Sequence, residues 1–272
     1  KDLRRAHTLT LKELAEQTGL SASALGSYET DDDKEISPFS VTMLAKFYGV
    51  SQNDCGNYCT CAECAACAAE EGSQAGPNLR FVNHVAEEVE KEFPGVLVET
   101  LAYQFTRKPP KTIRPRKNVA VCLCSFECAF ATPFEESWHA DTRQFCEDIR
   151  GWGEICGNLL VYNYAVNFRN YLFPFPNIQS MAANYRLFAR NGARWVYDQA
   201  DSNALGGEFA ELKAYLQSKL MWNPDADVSA LMDEFLQANG YENDISQKRL
   251  HHEIYLSDAR KTAPDKLKTV IR

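Results

Sequence analysis

Two short runs constrain this chain more than anything else in it. Val119 to Cys124 and Leu159 to Tyr164 are rich in β-branched, aliphatic and aromatic residues and lack the regular polar alternation of a strand with one wet face. Such runs suit strands buried in a parallel sheet. Similar β-like stretches occur at Val96 to Tyr103 and Arg194 to Gln199. Between them the spacing becomes helical, near Asp141 to Trp152, Ile178 to Arg190 and Glu208 to Leu220, and Leu79, Val82, Val85, Ala86 and Val89 give an earlier helix that Pro94-Gly95 ends. Apolar strands alternating with helices predict parallel βαβ units. The basic, Pro-rich stretch from Arg107 to Arg116 reads as a surface loop.

With 272 residues the chain has room for roughly two domains. A net charge of −8 excludes a basic field for unspecific nucleic-acid binding. No run approaches the ~20 apolar residues that a bilayer requires, so no membrane partner is expected. Residues 1 to 20 scatter charges among leucines and contain no signal-peptide core, which makes a soluble, cytoplasmic protein the expectation. The ten cysteines then point to reduced thiols or a metal rather than to a disulfide framework.

Residues 1 to 50 read as short helices. Leu11, Leu14 and Ala15 repeat at helical spacing, Thr18-Gly19 breaks the pattern, and Ser21 caps a helix continued by Ala24, Leu25 and Tyr28. A further helix is expected from Ser37-Pro38 to Gly49, with Val41, Leu44, Ala45 and Phe47 inside. The pattern from Leu11 through Ala15, Gly19, Leu20, Leu25, Tyr28 and Glu29 resembles the phage-repressor-like (Cro/Xre-type) helix-turn-helix family. That resemblance implies sequence-specific DNA binding, with Ser21, Ala22, Ser23 and Ser27 near the major groove and Arg4, Arg5 and Lys12 touching phosphates. Six basic and eight acidic residues in this segment predict modest, salt-sensitive binding by a homodimer. A helical hairpin for dimerisation or docking is the competing reading.

The central segment carries Ser51-Gln52-Asn53-Asp54, Tyr58-Cys59-x-Cys61-x-x-Cys64, Thr100-Leu101-Ala102-Tyr103-Gln104, Ser125-x-Glu127-Cys128 and Gly206-Gly207-Glu208. In these blocks it resembles a bacterial domain family of unknown function found among carbohydrate-utilisation proteins and similar to the barrel of alpha-glucuronidases. Glycoside hydrolysis needs paired carboxyl groups, which a barrel places at the C-terminal ends of its strands. Asp54, Glu127 and Asp198 each follow an apolar run and Glu208 precedes a helix, so these four are the catalytic candidates. Each also reads as a helix cap or solvated loop acid. Tyr103, Trp138, Tyr162, Tyr164 and Trp195 are candidates for stacking on sugar rings or for the core. Cys59, Cys61, Cys64 and Cys67 offer four thiolates to zinc, against free or reactive thiols.

At the C-terminus, His251 to Leu256 and Leu267 to Ile271 read as strands joined by a turn. Residues 239 to 272 resemble the end of gyrase-inhibitor-like effector-binding domains, which implies a ligand-sensing part with Glu253 at the position of the buried acid. The expected architecture is therefore multi-domain. An all-α helix-turn-helix head (1–50) precedes an α/β, partial (β/α) barrel of about five βα units (51–238), short of the eight that close a barrel, and a short β-rich tail (239–272). DNA binding is the leading function. A glycoside hydrolase-like protein with a carbohydrate ligand is the alternative, and a ligand-sensing transcriptional regulator is a third reading. The three patterns meet at Phe47 to Ser51 and Met232 to Leu236, which is also what a recombined reading frame would produce.

Overall fold

In the N-terminal helices, local capping and a small leucine core agree. The computed structural model describes residues 4, 9–31, 56–168, 170, 175–200 and 209–241, together with the backbone of 253–255 and 269–271. Helix α1 (Leu11–Thr18) opens with a capping box. Glu13 N–H donates to Thr10 Oγ1 at 3.1 Å and Thr10 N–H donates to the Glu13 carboxylate at 2.8 Å. Gly19, at φ 70°, ends the helix in the left-handed conformation that the turn requires. Ser21 Oγ then accepts from Ala24 N–H at 3.0 Å and starts α2 (Ala22–Thr30). Leu14, Leu20 and Leu25 are buried between the two helices, with Leu9, Leu11, Ala15 and Tyr28 around them. The helix expected at Ser37 to Gly49 lies outside the described residues.

Two helices, α3 (Ala62–Glu71) and α4 (Ala75–Glu92), precede the sheet. The sheet consists of β1 (Val98–Ala102), β2 (Val119–Cys124), β3 (Leu159–Tyr164) and β4 (Ala193–Gln199), all parallel and in the order β1-β2-β3-β4. Helix α5 (Ala140–Ile155) joins β2 to β3, α6 (Ile178–Arg190) joins β3 to β4, and α7 (Ala210–Trp222) follows. Because each crossover advances by one strand, right-handed connections place the helices on one face. Side-chain contacts agree with this: Asn78 of α4 donates to Thr100 of β1, and Tyr185 of α6 donates to Asp198 of β4.

On that face Val98, Ala102, Val119, Val121, Leu123, Leu159 and Val161 are buried. The other face carries Leu101, Cys122, Cys124, Leu160, Tyr162 and Tyr164, and towards the β4 edge it becomes half exposed at Trp195 and Tyr197. Among the described residues the sheet is open, with four strands and two edges. A closed barrel, or five βα units, is not formed by them. The connection from β1 to β2 contains a short 3-10 turn (Gln104–Thr106) and no α-helix. The expected surface loop after it is a partly buried strap, since Arg107 and Pro110 are both inside.

The chain divides into two compact units, residues 1–226 and 227–272. In the second, α8 (Val228–Ala238) is capped by Asp227, whose carboxylate accepts from Ser229 and Ala230 N–H. Strands β5 (Glu253–Tyr255) and β6 (Thr269–Ile271) pair antiparallel, as the expected pair of strands required.

Gly153 of α5 sits against the backbone of Asn191, where a methyl group would overlap the carbonyl oxygen. Helix propensity alone favours Gly153→Ala by ~0.5–1 kcal/mol. The expected outcome is the opposite sign, a loss of ~1–3 kcal/mol in urea denaturation, because backbone has to move.

Candidate functional site

The first turn of α2 forms the exposed end of the helix-turn-helix. Ser21, Ala22 and Ser23 are all solvent-exposed, while Leu25 one turn on is 3% exposed and locks the helix to α1. Ser27 donates to Ser23 C=O at 3.1 Å and so points back along its own helix. Lys12 is free of burial and lies 4.0 Å from Glu16. Arg4 differs from its expected role as a phosphate contact. Its Nε and Nη2 each donate to the Glu29 carboxylate at 2.6 Å and its Nη1 donates to Leu9 C=O at 2.7 Å. A bidentate pair of this kind uses the guanidinium to tie the chain before α1 to the end of α2. Arg5 lies outside the described residues.

A second candidate site lies at the C-terminal ends of the strands. Tyr103 follows β1, Phe126 follows β2 and Phe168 follows β3, and with Tyr164 they form a ring network. Phe126 is 6.0 Å from Tyr103, 5.3 Å from Tyr164 and 6.3 Å from Phe168. Phe126 and Phe168 are 46% and 39% exposed, so the network offers an open aromatic surface. Tyr162 continues it to Tyr197 at 4.7 Å. Trp138 is almost fully exposed beside His139 rather than within the network, and Trp195 lies on the half-exposed sheet face.

Beside this surface, Glu127 accepts from Arg107 Nη1 at 2.8 Å. The Arg107 Nε donates to Asp148 of α5 at 2.9 Å, and the Arg107 backbone C=O accepts from Trp152 Nε1 at 2.7 Å. Burial alone would lower the Arg107 pKa, but Asp148 and Glu127 more than offset it and hold the guanidinium above its ordinary value. Glu127 is thus an ion-paired rim carboxylate.

Asp198 is placed differently. Its position in β4 has the parity of Val196, so it turns to the helix layer, where Tyr185 and Asn163 donate to it, the latter at 2.6 Å. Burial raises its pKa despite those bonds. It lines a small polar cavity with Asn163, Asn177, Asn184 and Gln217, a space suited to about one water rather than a sugar ring. The structure holds Glu127 and Asp198 with separate partners and does not bring them together as a carboxylate pair. Asp54 and Glu208 lie outside the described residues.

Of the four expected zinc ligands, Cys59, Cys61 and Cys64 come together, with their sulfurs within 4.8 Å of one another. Cys67 is buried one turn further along α3, facing Gly76 of α4. Backbone N–H of Cys64, helped by the thiols of Cys59 and Cys64, holds the Cys61 thiol below its ordinary value, while the Cys64 thiol is pushed up to about 12 by its two neighbours.

Phe126, Phe168 and Arg107 did not stand out in the sequence. Two of them had a readable signal, since Phe126 lies two residues and Phe168 four residues beyond the ends of apolar strands.

The architecture defines an α/β protein that carries a helix-turn-helix at its N-terminus. A helix-turn-helix family model matches residues 1–51, and a model of a domain of unknown function, DUF4838, matches residues 37–245. The second match covers more than half of the chain, and the chain belongs to that family. The helix-turn-helix match supports DNA as a partner of the N-terminal region. Neither the alpha-glucuronidase likeness nor the gyrase-inhibitor-like likeness is among these matches. Comparison with curated proteins and with solved structures finds no match. No helix among the described residues is long and apolar enough to cross a membrane.

Removing Asp148 leaves the buried Arg107 charge short of its most shielded partner. Asp148→Ala is expected to cost ~3–5 kcal/mol in chemical denaturation. Glu127→Gln, at a more solvated position, is expected to cost under about 1 kcal/mol.

Proposed function

We propose that this chain binds DNA sequence-specifically through its helix-turn-helix, with the first turn of α2 in the major groove. The observation that carries the reading is the exposed Ser21-Ala22-Ser23 turn on a helix fixed from behind by Leu14, Leu20 and Leu25. Small side chains at a helix N-terminus let backbone N–H groups approach phosphate while the hydroxyls reach base edges. The segment has few cations and Arg4 is committed to Glu29, so phosphate contacts are few and a homodimer on two half-sites supplies the affinity. In this reading residues 1–50 form the DNA-binding module, 51–238 an α/β domain of incomplete barrel type, and 239–272 a separate tail.

A second reading concerns the α/β domain. The open aromatic surface of Phe126 and Phe168, backed by the buried Tyr164 and with Glu127 beside it, is chemically suited to stacking on a carbohydrate ring and accepting from its hydroxyls. It supports carbohydrate binding, and with it a sugar-sensing regulator, better than hydrolysis. A catalytic carboxylate pair would have to draw on Asp54 or Glu208 for the partner of Glu127.

Selection from a random duplex pool with the full chain, followed by anisotropy titration, tests the first reading. A defined motif is expected, with a log K against log salt slope shallower than about −5, equivalent to roughly five or fewer phosphate contacts. Ser23→Glu is expected to weaken motif binding at least tenfold without altering thermal stability. Enrichment of no motif would overturn the reading.

A further inference from the structure

Cys59, Cys61 and Cys64 occupy the extended segment before α3 and the first turn of that helix. Cys61 is the N-cap residue and Cys64 lies three positions on, so the helix itself fixes their relative placement. Cys59 and Cys61 are exposed and Cys64 is half-buried, which leaves all three sulfurs open to an ion from solvent. A tetrahedral zinc thiolate with bonds of about 2.3 Å needs sulfurs about 3.8 Å apart. The three sulfurs already lie within 4.8 Å of one another, and modest side-chain rotation closes the difference. The segment is anchored from the other side as well, since Tyr58 packs on Phe105 with ring centroids 5.3 Å apart.

We propose that Cys59, Cys61 and Cys64 form a three-thiolate zinc site, to which no further His, Cys, Asp or Glu among the described residues adds a ligand. The expected fourth sulfur, Cys67, takes no part, because it is 4% exposed and faces Gly76 across the α3–α4 contact. Zinc replaces the thiol protons, which pass to solvent, and no electron is transferred. Soft sulfur donors alone, with no carboxylate in the group, select a thiophilic ion over magnesium or calcium.

The test uses the full chain, purified under reductant, stripped with chelator and titrated with zinc against a chromogenic competitor. About one equivalent is expected, and cobalt substitution should show thiolate-to-metal charge transfer with a tetrahedral ligand field. Cys61→Ser and Cys64→Ser are expected to weaken binding by about 100-fold or more, at least as much as loss of an outer-shell partner. Cys67→Ala should retain the full equivalent. Because a buried variant can fail to fold, alkylation mapped by mass spectrometry supplies a second readout on the unaltered chain. Zinc should shield Cys59, Cys61 and Cys64 together and leave the modification of Cys67 unchanged. Less than half an equivalent bound, equal shielding of Cys67, or recovery of a metal-free Cys61–Cys64 disulfide from reducing cells would each overturn the proposal.

Discussion

Placing a guanidinium inside a protein costs several kcal/mol unless its donors meet carboxylates of good geometry. Arg107 meets that condition at the point where the chain leaves β1, and the α/β unit is arranged around it. Asp148 reaches it from α5, Glu127 from the end of β2, and Trp152 takes its carbonyl oxygen. Two consecutive pieces of the fold, the end of β2 and α5, therefore converge on one residue of the strap. This accounts for a connection from β1 to β2 without a helix. The strap is held by charge and hydrogen bonds where an apolar helical face would ordinarily hold a crossover.

A related device operates one element earlier. Glu71 ends α3 with its carboxylate inside the protein, where Thr112 N–H and Ile113 N–H donate to it at 2.7 and 3.2 Å and the Thr112 hydroxyl adds a third bond. Gly76 is required beside it, since any Cβ there would overlap Glu71. The strap from 107 to 116 is thus pinned by buried ionic groups at its start, through Arg107, and at its middle, through Glu71. Its prolines limit what it can do in between. In the N-terminal helices, among the described residues, caps and three buried leucines hold α1 against α2.

Much of the fold was legible in the sequence where local pattern and tertiary environment agree. The spans expected for β2, β3 and α6 coincide with those observed, because their apolar periodicity is set by the layer they face. Ser21 as cap and Gly19 as turn were legible for the same reason. Helix α3 was not expected, since its Cys/Ala composition carries no periodicity and its packing against α4 is tertiary. Arg107 read as a surface cation because its partners lie 20 and 41 residues away. Asp198 was placed at the strand end correctly, but which face it takes depends on parity, and Val196 beside it already indicated the helix layer. The sites were less legible than the fold. Proximity of an acid to a strand end is a weak constraint, whereas the ring network needs four separate segments to meet.

The arrangement around Arg107 also gives the molecule a built-in optical contrast. Of the four tryptophans, Trp152 of α5 is 1% exposed and donates a hydrogen bond to the strap at Arg107, whereas Trp138 and Trp222 are 84% and 92% exposed and Trp195 is 45% exposed. One indole therefore resides in a rigid, dry environment and the other three emit from contact with water. A collisional quencher would silence the outer three first and leave a blue-shifted residue of emission from Trp152 against the strap. Light from this one side chain would follow loosening of the β1–β2 connection separately from motion at the periphery.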